Sequence, residues 1–205
     1  MRKFFTHLLI LSSLFTASFA EDVDKYSMRV AWGYASEKDL GDILLNADLS
    51  SQQKNLTMIA IDGGYLLYPN ISDLPFDLYL KGGFSYFNED KRDDTYEALV
   101  YLKLLYNLDF LDNRVRFGFG EGVSLVKDNL ETELIEADRR GIRYGRFLNY
   151  LDITLDVDLG KLFRYKPMEN LYFGYLLKHR SGVFGLFNGV HGGSNYNSFY
   201  LEKNF

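Results

Sequence analysis

The sequence predicts an all-β fold, an eight-stranded antiparallel up-and-down transmembrane β-barrel that follows a cleaved signal peptide. Three observations lead to this prediction. The composition is typical of strands, with 16 Tyr, 17 Phe and 18 Gly but only 3 Pro in 205 residues. Apolar residues alternate with polar ones in eight separate segments. Beyond the first 20 residues, no run reaches the roughly 18 uncharged apolar residues that a membrane-spanning helix requires.

The N-terminus has the pattern of a secretory signal peptide. Arg2 and Lys3 precede an apolar run over residues 4–15, and small residues follow at Ser18 and Ala20. We therefore predict a signal peptide over residues 1–20 and a single barrel domain over residues 21–205. The chain contains no cysteine, which excludes disulfides and thiol chemistry. The net charge of −5 becomes more negative once Arg2 and Lys3 are removed, so nucleic acid is not an expected partner.

The alternation is clearest in the predicted sixth strand. One phase holds Leu151, Ile153, Leu155, Val157 and Leu159, and the other holds Asp152, Thr154, Asp156 and Asp158. A row of carboxylates needs water or cations, while the opposite row needs an apolar environment. The eight predicted strands cover about residues 26–34, 55–66, 78–86, 96–108, 115–126, 149–159, 170–180 and 194–205.

A closed barrel removes the exposed edges that eight amphipathic strands would otherwise present. Period alone does not say which face is inside, so a soluble lipocalin-like barrel with an apolar interior is an alternative. The final residue, Phe205, shares the phase of Phe199 and Leu201, which resembles the terminal signature of outer-membrane barrels. We therefore expect the bacterial outer membrane as the location.

Strand parity predicts the orientation. If the N-terminus starts in the periplasm, the connections 36–54, 88–94, 127–146 and 181–193 face outside, and the turns near 67–76, 109–113 and 160–169 face inside. The glycines Gly118, Gly120 and Gly122 resemble a phosphate loop only superficially. They lie in a strand with no helix after it, so we interpret them as small residues on an inner face.

Three polar residues interrupt the apolar phase at the outward end of strands seven and eight. His179 and Ser181 continue the row that holds Tyr175 and Leu177, and Asn195 begins the row of strand eight. Antiparallel pairing brings these ends together. One interpretation is that all three lie at the level of the lipid headgroups, where polar residues cost little. The other is catalytic, with Ser181 as nucleophile, His179 as general base and Asn195 orienting the imidazole.

The segment His179-Arg180-Ser181, a loop, Gly193-Ser194-Asn195 and a final aromatic strand resemble the His-x-Ser pattern of the PagL-type lipid A 3-O-deacylases. This family consists of outer-membrane esterases often described as acyloxyacyl hydrolase-like. The resemblance, which is specific over about the last thirty residues, implies a barrel whose catalytic Ser and His face the membrane. It also implies an ester hydrolase that removes a 3-hydroxyacyl chain from the lipid A of lipopolysaccharide, without a cofactor.

The sequence departs from that family at two positions. An Asn usually follows the Ser, whereas Gly182 follows here, so the backbone N–H groups of Gly182 and Val183 are the oxyanion candidates. The third member of the triad is usually acidic and aligns here with Asn195. An Asn fixes the tautomer of a histidine but stabilises an imidazolium less than a carboxylate does.

Arginines cluster in the third outer connection and are candidates for binding lipid A phosphates, because guanidinium groups suit phosphate oxygens. These are Arg139, Arg140, Arg143 and Arg146. The alternative is a solvated loop in which they balance Glu131, Glu133, Glu136 and Asp138. No metal site is predicted, because the mature chain has only His179 and His191 as histidines.

Two other functions remain open alongside the esterase. A non-catalytic structural or adhesion barrel would act through its outer loops. A soluble periplasmic binding barrel would use an apolar interior. The sequence leaves the oligomeric state open.

Overall fold

The protein forms a closed barrel of eight strands in a computed structural model that describes residues 24–49 and 55–205. The predicted signal peptide, residues 1–20, lies outside the described residues. The strands are β1 (Tyr26–Ser36), β2 (Thr57–Tyr68), β3 (Phe76–Asn88), β4 (Thr95–Phe110), β5 (Asn113–Val126), β6 (Phe147–Asp158), β7 (Leu171–Ser181) and β8 (Gly193–Asn204). The predicted fold class is therefore confirmed.

Each strand pairs antiparallel with the next, and β8 pairs with β1 to close the barrel. The N–H of Tyr26 donates to the carbonyl of Phe205 and the N–H of Phe205 donates to that of Tyr26, both at 2.9 Å. This reciprocal pair holds the last residue of the chain against the first strand. The closure leaves none of the eight described strands with an unpaired edge.

The apolar phase of every strand faces outward. Phe84 is 67% exposed and Trp32 is 52% exposed, whereas the inward-facing Arg29 and Asp152 are 1% and 0% exposed. A barrel that exposes its aromatic rows and buries its charges cannot be soluble in the manner of a lipocalin. The alternative with an apolar interior is therefore excluded, and the outer wall suits hydrocarbon.

The interior is filled by ion pairs. Arg29 lies between Asp62 at 2.7 Å and Asp152 at 2.6 Å, and Lys103 also bonds Asp152. In a second group of interior ion pairs, Arg116 pairs with Asp156 at 2.8 Å. The inward carboxylates predicted from the alternation are thus neutralised by cations from other strands, which removes much of the cost of burying them.

The glycines of β5 have the structural role that the sequence suggested. A Cβ atom at Gly122 would collide with the backbone carbonyl of Val100, and one at Gly120 would lie 2.8 Å from the ring of Tyr101. Tyr101 fills this space and donates a hydrogen bond from its hydroxyl to Asp62. These glycines therefore make room for the polar interior.

The connections that follow β1, β3, β5 and β7 meet at one end of the barrel, which we call the loop end, and those that follow β2, β4 and β6 meet at the other, the turn end. The connections at the loop end are longer on average. The loop end carries two helices that the alternation did not predict, α1 (Leu40–Asn46) and α2 (Glu131–Arg140). At the turn end, α3 (Leu159–Leu162) and 3-10 turns at Ile71–Asp73 and Lys166–Met168 connect the strands. None of the described helices is long and apolar enough to cross a membrane.

The predicted sixth strand extends one residue too far at its C-terminal end. It ends at Asp158, because the Asp158 carboxylate accepts a hydrogen bond from the N–H of Lys161 at 3.0 Å and caps α3. Leu159 is therefore the first residue of the helix. The apolar phase continued through Leu159, but the capping carboxylate ends the strand.

Helix α2 is fixed to the loop end by its carboxylates. The Glu131 side chain accepts from the N–H groups of Asp90 and Lys91 at 3.1 and 2.9 Å, and Glu89 accepts from the N–H of Glu131 at 3.1 Å. Further along α2, Glu133 pairs with Arg180 of β7. The helix is thereby held beside the ends of β7 and β8.

Candidate active site

The three polar residues of the predicted site lie on the outer wall at the loop end. His179 and Ser181 are the ninth and last residues of β7, and both are half-buried. The residue opposite His179 on β8 is Asn195, and the residue opposite Ser181 is Gly193. The register that the sequence alone could not supply therefore places Asn195 beside the imidazole.

The imidazole of His179 has a defined partner. Its Nδ1 lies 2.7 Å from Oδ1 of Asn195, while Nδ2 of Asn195 donates to the carbonyl of Lys38 at 2.8 Å. Because the amide nitrogen donates to Lys38, its oxygen must accept from His179, and Nδ1 carries the proton. Nε2 is then left with a lone pair, which is the state a general base requires.

A pocket of about 460 Å³ opens at this place and has all three residues in its wall. Its other walls come from α2, from the connection that follows β1, and from the connection between β7 and β8. The lining includes Lys38, Asp39, Glu136, Arg139, Arg140, Val183, Phe184 and His191. A substrate bound here would contact both the lipid-facing wall and the polar loop end.

The backbone turns sharply after Ser181. Val183 and Phe184 have φ angles of 47° and 54°, in the left-handed region that non-glycine residues rarely adopt. The turn directs the N–H of Val183 back to Oγ of Ser181 at 3.3 Å. The N–H of Gly182 instead donates to the carbonyl of Gly192 at 3.1 Å. Of the two oxyanion candidates, Val183 is the one whose N–H donates to Oγ of Ser181.

The four candidate arginines do not lie together. Arg139 and Arg140 line the pocket. The Arg140 guanidinium bonds both carboxylate oxygens of Asp39, at 2.9 and 3.1 Å, and lies 3.3 Å from Glu136. Arg143 instead forms a backbone bridge with Val190, and Nε of Arg146 donates to the carbonyl of Val126 at 3.2 Å. Phosphate binding stays a prediction for all four.

The acidic residues of α2 do not simply balance those arginines. Glu136 pairs with Arg140, and its Oε2 also accepts from the N–H of Gly193 at 2.9 Å. Glu131 and Glu133 are buried and bond other partners. Among the described residues, no group of three or more His, Asp or Glu side chains is arranged to hold a metal ion.

Sequence reasoning missed three residues around the site. The Lys38 carbonyl orients Asn195, and Asn149 of β6 is opposite Ser181 in the sheet register. Glu121 of β5 lies on the outer wall and accepts from Nδ2 of Asn149 at 3.4 Å. The sequence does distinguish Asn149 and Glu121, because both are polar residues within otherwise apolar rows.

The comparisons with known proteins agree with this geometry at the level of the fold. A scan against protein-family models finds no match, and a search of curated proteins finds none either. Among solved structures, the outer membrane enzyme PagL is similar, with a TM-score of 0.59, 11% identity, and coverage of 87% of this chain and 99% of that chain. Neisserial surface protein A (NspA) has a TM-score of 0.50, 12% identity, and coverage of 89% and 98%.

The protein is an outer-membrane β-barrel. Identities this low carry the architecture alone, and the two similar proteins include one that is named an enzyme and one that is named a surface protein. The apolar outer wall of the barrel accounts for its association with the membrane. The pocket at its loop end adjoins this apolar wall and is lined by polar side chains.

Proposed function

We propose that this outer-membrane barrel is an esterase that removes an ester-linked 3-hydroxyacyl chain from lipid A. The observation that carries the proposal is the 2.7 Å contact between His179 and Asn195 on the outer wall, with Ser181 in the same pocket. A hydroxyl, an imidazole and an orienting amide are the parts of a nucleophilic hydrolase. The similarity of the fold to PagL supports this function class.

The proposed reaction uses the side chains as follows. Ser181 Oγ attacks the ester carbonyl and transfers its proton to Nε2 of His179. The N–H of Val183, at 3.3 Å from Oγ, is placed to donate to the developing oxyanion. The imidazolium then protonates the departing sugar oxygen. Water, deprotonated by His179, cleaves the acyl-enzyme and releases the fatty acid.

The position of the site suits a lipid substrate. From His179 toward the turn end, the apolar row first includes Leu177, which is buried, and then continues through Tyr175 and Phe173. Phe199 is stacked on Phe173 at 6.1 Å between ring centroids. Acyl chains would rest on this wall, and an ester at the headgroup boundary would meet Ser181. No internal ligand cavity is needed, which agrees with an interior filled by ion pairs.

The pocket also offers cationic groups to a phosphorylated sugar. Arg139 is exposed on the pocket wall, and within the part of the chain that the structure describes it forms no ion pair. The Arg140 guanidinium is already bound to Asp39 and Glu136. We therefore assign the larger share of phosphate binding to Arg139, because its charge is not neutralised by a neighbouring carboxylate.

Mass spectrometry of lipid A from cells that express the protein tests the proposal. Lipid A from cells that express the wild type should lack the mass of one 3-hydroxyacyl chain. Lipid A from cells that express Ser181→Ala should have the full mass. Ser72→Ala, at the turn end, is the matched control and should behave as wild type. Heat-modifiable migration on a gel shows that each variant has assembled. Deacylation that persists in Ser181→Ala, or full-mass lipid A with an assembled wild type, would refute the proposal and favour a non-catalytic barrel.

A further inference from the structure

A carboxylate lies within the apolar outer wall close to the candidate site. Glu121 of β5 is exposed, and its register neighbours are Leu102 on β4 and Leu151 on β6. Along β5, the outward residues on either side of it are Phe119 and Val123. An ionisable group surrounded by lipid-facing side chains is costly, so it calls for a partner.

The described part of the chain supplies the Glu121 carboxylate with only one long hydrogen bond. Among the described residues, no lysine or arginine forms an ion pair with Glu121. Its hydrogen bond from Nδ2 of Asn149 is long, at 3.4 Å. The same nitrogen donates to the carbonyl of Gly122 at 3.2 Å, and the side chain of Asn149 is only 6% exposed. Both donor hydrogens of Asn149 are thus used, and the exposed carboxylate of Glu121 beside it offers acceptor oxygens to a ligand.

This acceptor pair borders the nucleophile. Asn149 is directly opposite Ser181 in the β6–β7 register, and directly opposite Cβ atoms in a sheet are about 4.5–5.5 Å apart. Asn195 lies on the other side of β7, beside His179. Polar groups therefore continue across four strands of the outer wall, from Asn195 through the nucleophile to Glu121.

We infer that Asn149 and Glu121 form a subsite that accepts a hydrogen bond from the hydroxyl of the acyl chain cleaved at Ser181. The inference rests on the proposed function and assigns its chain specificity to two residues. A 3-hydroxyl is two carbons from the carbonyl that Ser181 attacks, so it stays near the nucleophile when the chain lies on this wall. A chain without the hydroxyl leaves the carboxylate unpaired among apolar groups. Sites built to bond a hydroxyl reject analogues that lack it for this reason.

Hydrolysis in detergent tests the inference. The ratio of kcat/KM for 3-hydroxydodecanoyl and dodecanoyl esters should favour the hydroxylated chain by about tenfold or more in wild type, as expected for a hydrogen bond to a charged acceptor. Glu121→Leu, which matches its apolar neighbours, should bring the ratio close to one by slowing the hydroxylated ester alone. Glu121→Gln should give an intermediate ratio. Glu169→Gln, at the turn end, is the matched control.

A binding measurement separates this inference from the proposed function. In the Ser181→Ala protein, the side-chain amide NMR signals of Asn149 are followed during titration with methyl 3-hydroxydodecanoate or methyl dodecanoate. Only the hydroxylated ester should shift them, and Glu121→Leu should abolish the selectivity.

Three outcomes are distinguishable. Ser181-dependent hydrolysis whose chain preference survives in Glu121→Leu overturns the subsite and leaves the esterase standing. Equal shifts with both esters also overturn the subsite. Selective binding without any Ser181-dependent hydrolysis supports the subsite and refutes the esterase.

Discussion

Asn195 accepts a hydrogen bond from Nδ1 of His179 at 2.7 Å and donates one from Nδ2 to the carbonyl of Lys38 at 2.8 Å. The two bonds together fix which ring nitrogen of His179 carries the proton. A carboxylate would also accept from the imidazole, but it could not donate to the Lys38 carbonyl. The amide therefore links the tautomer of the histidine to the connection that follows β1.

The first prediction concerns this link. Asn195→Ala removes the acceptor at Nδ1, so the imidazole is free to change tautomer and orientation. The Ser181-dependent rate should fall about 100-fold, in the range that positioned acid–base groups contribute, with most of the loss in kcat and little in KM. Asn113→Ala, at the turn end, is the control. A loss confined to KM would show that Asn195 binds substrate and does not orient the histidine.

The second prediction concerns the ion pairs of the interior. Asp152→Ala leaves Arg29 and Lys103 buried without their shared carboxylate. Breaking a buried pair in this way costs about 3–5 kcal/mol. The temperature of the folded-to-unfolded mobility shift on a gel should fall clearly.

An exposed ion pair supplies the comparison for Asp152→Ala. Lys127 and Asp128 are 3.7 Å apart, and their side chains are 70% and 57% exposed. Asp128→Ala should change stability by at most about 1 kcal/mol, because water screens such pairs. Equal effects of the two substitutions would contradict the role given to the interior network.

The barrel could be predicted from the sequence because alternation is a local property. The apolar residues from Leu151 to Val157 and the carboxylates that alternate with them indicate which side chains share a face of the strand. Eight strands of this kind are enough to predict a closed barrel. Helix α2 was missed for a physical reason. Its buried residues include Glu131 and Glu133, which are stabilised by bonds to Lys91 and Arg180 and not by apolar contacts. No hydrophobic period marks a helix of this kind.

The site was predictable only within one hairpin. His179 and Asn195 belong to adjacent strands, so the sequence predicts that both lie at the same end of the barrel, and the structure supplies the register that pairs them. The relation of Ser181 to Asn149 and Glu121 depends on the registers of β5, β6 and β7 together. A shift of one residue in either pairing would move a side chain to the other face, and the sequence does not set that register.

The third prediction concerns close approach of the backbone in β5. A Cβ at Gly122 would collide with the carbonyl of Val100, which cannot move without breaking the sheet. Gly122→Ala should therefore destabilise the barrel by about 1–3 kcal/mol, as overpacking does. A Cβ at Gly63 meets only the carbonyl of Ser27, at 3.7 Å, so Gly63→Ala should be tolerated. The temperature at which each variant unfolds, read from its mobility on a gel, is the measurement. An unfolding temperature of Gly122→Ala equal to that of the wild type would contradict the proposed collision with Val100.

The last prediction concerns the attachment of α2 at neutral pH. Burial raises the pKa of the Glu89 carboxyl to about 7, and the nearby carboxylates of Glu131, Glu133 and Asp94 add to the shift, although the N–H of Glu131 opposes it. The folded pKa lies above the unfolded value of about 4.3. The folded state therefore holds an extra proton between these values, and stability falls as pH rises through about 7.

Hydrogen exchange of α2 amides provides the measurement for Glu89. Protection in wild type should decrease between pH 5.5 and 8, after correction for the intrinsic exchange rate, because the ionised Glu89 repels the carboxylates around it. Glu89→Gln keeps an acceptor for the N–H of Glu131 and carries no charge, so its corrected protection should be independent of pH. Glu37→Gln, on an exposed residue of the same end, should retain the wild-type profile. A pH dependence that persists in Glu89→Gln would assign the titration to another carboxylate, and the attachment of α2 would then not depend on Glu89.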